Sequence, residues 1–190
     1  MKLKHILPIL LFVCAVQGAG AAEAVADTLR VYLVGDSTCA TKKLDKQNPE
    51  RGWGHMFQPL FDEAVVVENH ATNGRSTKSF RAEGRWARVC DRLRPGDYVF
   101  IQFGHNDQKI NDSTRYSTPA QYAENLRRYV HEARAKGATP VLLTPIVRRH
   151  FVDGVLTDTH TDYPDAMRRV AAEEGVVLID MEPATREWVA

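Results

Sequence analysis

Apolar residues fall along this chain in short runs separated by polar, glycine-rich punctuation. Leu29–Val34 reads LRVYLV, carries β-branched residues and ends at Gly35, which predicts a buried strand. Ala64–Val67 (AVVV) predicts a second, and Tyr98–Phe103 (YVFIQF), introduced by the turn Pro95-Gly96-Asp97, a third. Pro140–Leu143 begins a fourth and Val176–Ile179 (VVLI) forms a fifth. Between the third and fourth the period changes. Tyr122, Leu126, Tyr129, Val130 and Ala133 recur at the spacing that lines one face of an α-helix. Thr118 and Gln121 stand at capping-box spacing, Pro119 suits the first helical position, and Gly137 supplies the stop. Pro164–Glu174 repeats the scheme with Met167, Val170 and Ala171 inward, and Glu182–Val189 begins another polar-capped helix. Strands apolar on both faces, alternating with amphipathic helices, predict an α/β fold whose parallel sheet is covered on both sides. The length of 190 residues suits one domain, and no repeat, low-complexity tract or linker divides it.

The N-terminus follows another pattern. Lys2 and Lys4 precede an eleven-residue apolar run, Ile6–Val16, and Gly18–Ala24 (GAGAAEA) is small and A-x-A-like. This predicts a secretory signal peptide over residues 1–22, cleaved near Ala22, rather than a buried helix; the run is too short to anchor in a bilayer. The domain then occupies residues 28–190, secreted or periplasmic and free of the membrane. Val13 before Cys14 is larger than a lipoprotein cleavage site prefers, so no lipid anchor is expected. Lys and Arg total 25 against 24 Asp and Glu, so no long-range field draws the protein to nucleic acid or anionic lipid. Three cysteines, none in a CxxC pair, predict neither a disulfide scaffold nor a structural zinc site, and no metal or cofactor is expected. Cys39 and Cys90 can pair in an oxidising compartment or lie apart as two buried thiols, and both readings stay open.

Ligands in such a sheet sit at the carboxyl ends of the strands. Three polar clusters fall there: Gly35-Asp36-Ser37-Thr38, Asn69–Ser76 (NHATNGRS) and Gly104-His105-Asn106-Asp107. Singly, each reads equally as a cap or a turn. Together they suit a nucleophilic serine, which needs two or more donors aimed at a developing oxyanion. The backbone N–H groups of Ser37 and Gly74 and the side-chain amide of Asn106 offer three.

These residues resemble the SGNH (GDSL-type) hydrolases and, among them, the rhamnogalacturonan acetylesterases. The resemblance runs from about Leu29 to Thr185 through GDST at Gly35–Thr38, RGWG at Arg51–Gly54, NGRSTKSF at Asn73–Phe80, EGRW at Glu83–Trp86, IQFGHND at Ile101–Asp107, LTPIVRRHF at Leu143–Phe151 and DTHTDYPDAMR at Asp158–Arg168. It implies a three-layer α/β/α sandwich with a five-stranded parallel sheet. It also implies Ser37 as nucleophile, with Ser37 (main chain), Gly74 and Asn106 as the oxyanion hole. The implied reaction removes acetyl groups from an acetylated pectic polysaccharide through an acyl-enzyme.

The family's general base is a histidine three residues after its aspartate partner. Here His55, His70, His105, His131, His150 and His160 follow Gly52, Val67, Gln102, Arg128, Val147 and Thr157 at that spacing. His160 lies in the earlier DTH triplet, so it is not taken as the base. The resemblance thus implies a domain truncated at its C-terminus, without the Asp-His pair and inactive or weakly active. The alternatives are a non-catalytic carbohydrate-binding remnant and a flavodoxin-like phosphate binder using the GDST turn. Trp53, Trp86 and Trp188 suit either sugar stacking or packing. Arg148 and Arg149 suit either a grip on uronate carboxylates or structural pairing. His105 is expected to bond a neighbouring loop, Asp36 to tie down its turn, and Cys39 to be buried filler.

Overall fold

A computed structural model describes residues 28–190; the expected signal peptide lies outside the described residues. Strand β1 (Leu29–Gly35) is followed by a turn-rich segment and β2 (Val65–Asn69). Two short helices, α1 (Thr77–Ala82) and α2 (Arg85–Cys90), lead to β3 (Tyr98–Gln102), α3 (Pro119–Ala135) and β4 (Thr139–Leu143). A small hairpin, β5 (Phe151–Val152) and β6 (Val155–Leu156), precedes α4 (Tyr163–Glu174), β7 (Val177–Ile179) and α5 (Met181–Val189). The five-stranded sheet has the order β2-β1-β3-β4-β7 and every pairing in it is parallel. The α/β architecture and strand number are those expected from the sequence. The order reverses at β1: β2 lies to one side and β3 to the other, which makes the β1/β3 ends a topological switch point, where open α/β sheets bind ligands.

Alternation along β1 divides the core. Tyr32 and Val34 face the larger cluster, built with Phe80, Trp86, Tyr122, Leu126, Tyr129 and Met167 from α1–α4. Val31 and Leu33 face the other side, against Cys39, Trp53, Phe57 and Phe100. Every residue of the predicted α3 stripe is fully buried, and its capping box between Thr118 and Gln121 is formed. Cys39 and Cys90 are free thiols that belong to different clusters, which closes the disulfide alternative.

Over β1 and β3 the second face is covered not by a long helix but by 3₁₀ turns within residues 53–60. Glycine permits this. A Cβ on Gly52 would sit 2.2 Å from the Ala40 carbonyl oxygen, and one on Gly54 2.7 Å from the Cys39 oxygen. The segment therefore lies directly against the turn that carries Ser37, and Trp53 N donates to Thr38 O at 3.0 Å. At the sheet edge Val177 and Ile179 of β7 are exposed. Among the described residues no helix is long and apolar enough to cross a membrane.

Burial predicts an uneven response to truncation. Leu126→Ala should lower the free energy of urea unfolding by about 2–5 kcal/mol, whereas Val177→Ala at the exposed edge should cost under about 1 kcal/mol.

Candidate active site

Strand β1 delivers Ser37 into a tight turn. The Asp36 carbonyl accepts from Cys39 N at 3.3 Å and Ala40 N at 3.0 Å, and the Asp36 carboxylate accepts from Thr38 N at 2.9 Å. The Thr38 hydroxyl lies 2.9 Å from Asp36 Oδ1 and 3.0 Å from Gln102 Oε1, so its single proton serves one at a time. Gln102 Oε1 also accepts from Trp53 Nε1 at 2.6 Å. Asp36 is thus a tie within the turn, as expected, and it occupies the Thr38 N–H that a phosphate at this turn would need. Ser37 itself is half-buried.

The other two segments are tied to this one. Thr72 N donates to Gly35 O at 2.9 Å, which brings the loop after β2 against the end of β1. That loop turns at Gly74, whose φ of +75° is left-handed and favours glycine. Asn106, buried at the end of β3, donates one Nδ2 hydrogen to Arg75 O at 2.9 Å. A carboxamide nitrogen carries two hydrogens, so the amide is oriented by one bond and keeps the other hydrogen for a ligand. Ser37, Gly74 and Asn106 therefore lie at the ends of three adjacent strands, in linked loops.

Asp107 fixes that linkage. Its carboxyl accepts from Thr77 N at 3.0 Å and from the Thr77 hydroxyl in a short bond, at the first residue of α1. Thr77 is in turn held by Asn125 Nδ2 on Oγ1 and by Tyr129 OH on its carbonyl, each at 3.0 Å. Ser76 and Ser79 close a capping box around the same turn. Full burial pushes the Asp107 carboxyl up to about 7, against the opposing bonds from Thr77.

A second polar cluster sits below the turn. Asp36 Oδ2 and His105 Nδ1 face each other at 3.7 Å, and neither has a hydrogen-bond partner among the described residues. The His105 ring packs edge-on against His160, with centroids 4.4 Å apart. Burial, with the Arg148 charge, holds His105 down to about 3; burial, with the neighbouring His105 and Arg148, does the same for His160. Arg148 donates to His105 O at 2.9 Å and to Thr159 O at 3.2 Å. Its guanidinium thus serves as an internal strap, so of the two roles left open from the sequence the structural one applies. His105 is bonded to the loop after β4 through its carbonyl, not through its ring. His160, passed over as a base, is buried in this cluster.

Trp86 is core: its Nε1 donates to Glu132 at 2.6 Å and its ring packs on Tyr129. Trp53 is engaged by Gln102 and Phe57, and Trp188 is exposed. Burial drives the Cys39 thiol far above its ordinary range, which removes it as a nucleophile. Sequence reasoning gave no role to Gln102, and it named Asp107 only as part of its strand-end cluster. Both lie within the IQFGHND block, and a glutamine in the otherwise apolar YVFIQF run was the available signal. Among the described residues no histidine ring is hydrogen-bonded to Ser37, and no group of three or more His, Cys, Asp or Glu could hold a metal ion.

Residues 33–189 match the GDSL-like Lipase/Acylhydrolase family. The chain is 43% identical over 152 residues to the probable rhamnogalacturonan acetylesterase YesY of Bacillus subtilis (strain 168), covering 80% of this chain and 69% of that protein. It is 43% identical over 159 residues to the rhamnogalacturonan acetylesterase RhgT of the same organism, covering 83% of this chain and 67% of that one. Among solved structures, YxiM from Bacillus subtilis superposes with a TM-score of 0.75 at 27% identity, over 85% of this chain but 46% of its own. The chain thus spans about two thirds of the two acetylesterases and under half of YxiM.

Asp107 sets a pH dependence. Its folded pKa of about 7 lies above the ordinary carboxylate value, so its contribution to stability is full at low pH and is lost as pH rises through 7. Asp107→Asn mimics the protonated carboxyl. The thermal midpoint of the wild type should therefore fall between pH 6 and pH 8.5 by more than that of Asp107→Asn.

Proposed function

The chain belongs to the GDSL-like lipase/acylhydrolase family, and on that basis we propose that it is a serine esterase removing acetyl groups from a pectic polysaccharide such as rhamnogalacturonan. The observation that carries the reading is the linkage of three strand ends: Ser37 in the turn after β1, Gly74 in a loop bonded to that strand, and Asn106 with its amide anchored on Arg75 O. Ser37 Oγ attacks the acetyl carbonyl carbon. The N–H groups of Ser37 and Gly74 and the free Nδ2 hydrogen of Asn106 receive the oxyanion. The sugar leaves as an alcohol that takes up a proton, and water then releases acetate and restores Ser37. The names of the two acetylesterase relatives support acetylated rhamnogalacturonan as the substrate. Lys2, Lys4 and the apolar run Ile6–Val16 support action outside the cytoplasm.

The step least provided for is removal of the Ser37 proton, since no described histidine is bonded to Ser37. A positioned base contributes about 10²–10⁴-fold, so the chain as given should turn over slowly. The same observation favours a second reading, a carbohydrate-binding protein of the same fold without turnover.

Acetate release from acetylated rhamnogalacturonan separates the two. The esterase reading predicts release that Ser37→Ala abolishes and that Asn106→Ala lowers by about 10²–10³-fold in kcat. Binding of the polymer with no release above the Ser37→Ala background would establish the second reading instead.

A further inference from the structure

Beside Gly74 the structure holds a cationic group that the proposed reaction does not use. A Cβ built on Gly74 would meet Arg115 Nη1 at 3.6 Å and Cζ at 3.8 Å, so the guanidinium lies against the Gly74 backbone. It forms one wall of a cavity of about 200 Å³ lined also by Arg75, Ser79, Glu83 and Thr114.

The charges around this cavity are unequally engaged. Arg75 Nε donates to both Glu83 oxygens at 3.1 Å and its Nη1 to Asn73 O at 2.8 Å. Arg85 adds a third bond to Glu83 at 2.6 Å. The one carboxylate lining the cavity is therefore satisfied by two arginines, which hold its pKa below the ordinary range. Arg115 differs. Its Nε pairs with Asp112 Oδ2 at 3.0 Å, while Asp112 Oδ1 accepts from Thr114 N at 3.1 Å and Thr114 Oγ1 at 2.6 Å. Among the described residues neither Nη of Arg115 has a hydrogen-bond partner. The ion pair engages the Nε side of the guanidinium, and its outer N–H groups are left to donate to a planar anion in two-point fashion. Arg75, Arg85 and Arg115 outnumber Glu83 and Asp112, so the local field favours an anion.

We propose that Arg115 and the cavity beside Gly74 form a subsite for a uronate carboxylate of the substrate, which makes the protein selective for an acetylated chain that is also acidic. The inference deepens the esterase reading and rests on it for the placement of the ester next to Gly74. Arg148 and Arg149 were the arginines that sequence suggested for this task. Arg148 is bonded inward to His105 and Thr159, whereas Arg115 lines the cavity beside Gly74.

The test uses one acetylated rhamnogalacturonan oligosaccharide in two forms, with uronate carboxyls free or methyl-esterified. Titration calorimetry is run in the Ser37→Ala background, so that no turnover intervenes. The free acid should bind roughly tenfold tighter than the methyl ester, and added salt should narrow the gap because Arg115 is part-exposed. Arg115→Gln should bind both forms alike with an unchanged melting temperature. A preference that survives Arg115→Gln, or its absence from the starting protein, would overturn the proposal. Changing the ligand rather than the protein keeps the comparison independent of folding. Release of p-nitrophenol from p-nitrophenyl acetate, a neutral small ester, is measured in parallel on the unsubstituted protein, with Ser37→Ala as the blank. No release above that blank would remove the esterase reading while the calorimetry still decides the role of Arg115.

Discussion

Asp107 reaches from the end of β3 to the first residue of α1, where Thr77 gives its carboxyl both a backbone N–H and a hydroxyl. That contact is fully buried, and the arrangement of the strand ends depends on it. The loop after β2 holds Gly74 and runs into α1; the loop after β3 holds Asn106. Joining Asp107 to Thr77 closes the two loops on each other and leaves the Asn106 amide against Arg75 O. Burying a carboxyl is costly unless it is bonded or neutral. The protein uses both remedies: the Thr77 bonds satisfy it and desolvation shifts its titration toward neutral pH. A donor set that must meet an oxyanion without rearranging needs this rigidity, since the benefit of such donors lies in their being in place beforehand.

Topology puts the third component within reach. Because β1 lies between β2 and β3, the turn after β1 falls between the two joined loops. The glycines at positions 52 and 54 let the neighbouring segment press on that turn from behind, and Gln102 receives Trp53 and stands within reach of the Thr38 hydroxyl from below. Arg148 straps the loop after β4 to His105, so a fourth strand end braces the third. Arg115 lies against the Gly74 backbone, at a cavity that the loop after β2 helps to line.

The sheet and α3 were legible because their signals are local. β1 ends at a glycine, and the α3 stripe carries a formed capping box, so period and punctuation agree. The strand-end clusters at Ser37, Gly74 and Asn106 were legible as positions for the same reason. α1 and α2 were not, because each has six residues and no stripe lasts two turns; the cap of α1 pairs Ser76 with Ser79 rather than with Glu or Gln. The inward turn of Arg148 and the service of Asp107 to Thr77 depend on partners 43 and 30 residues away, which no local pattern encodes. Arg115 escaped notice for a similar reason: in sequence it is one arginine of many, and only the fold sets it against Gly74.

The central claim is that the main-chain amides of Ser37 and Gly74 and the carboxamide of Asn106 converge on one oxygen. A crystal structure with methylboronic acid, which adds to a serine hydroxyl as a tetrahedral mimic of acetyl transfer, tests it directly. The account predicts boron on Ser37 Oγ with one boronate oxygen about 2.7–3.1 Å from all three nitrogens. Boron on another residue, or a boronate oxygen turned to solvent away from Gly74 and Asn106, would contradict it.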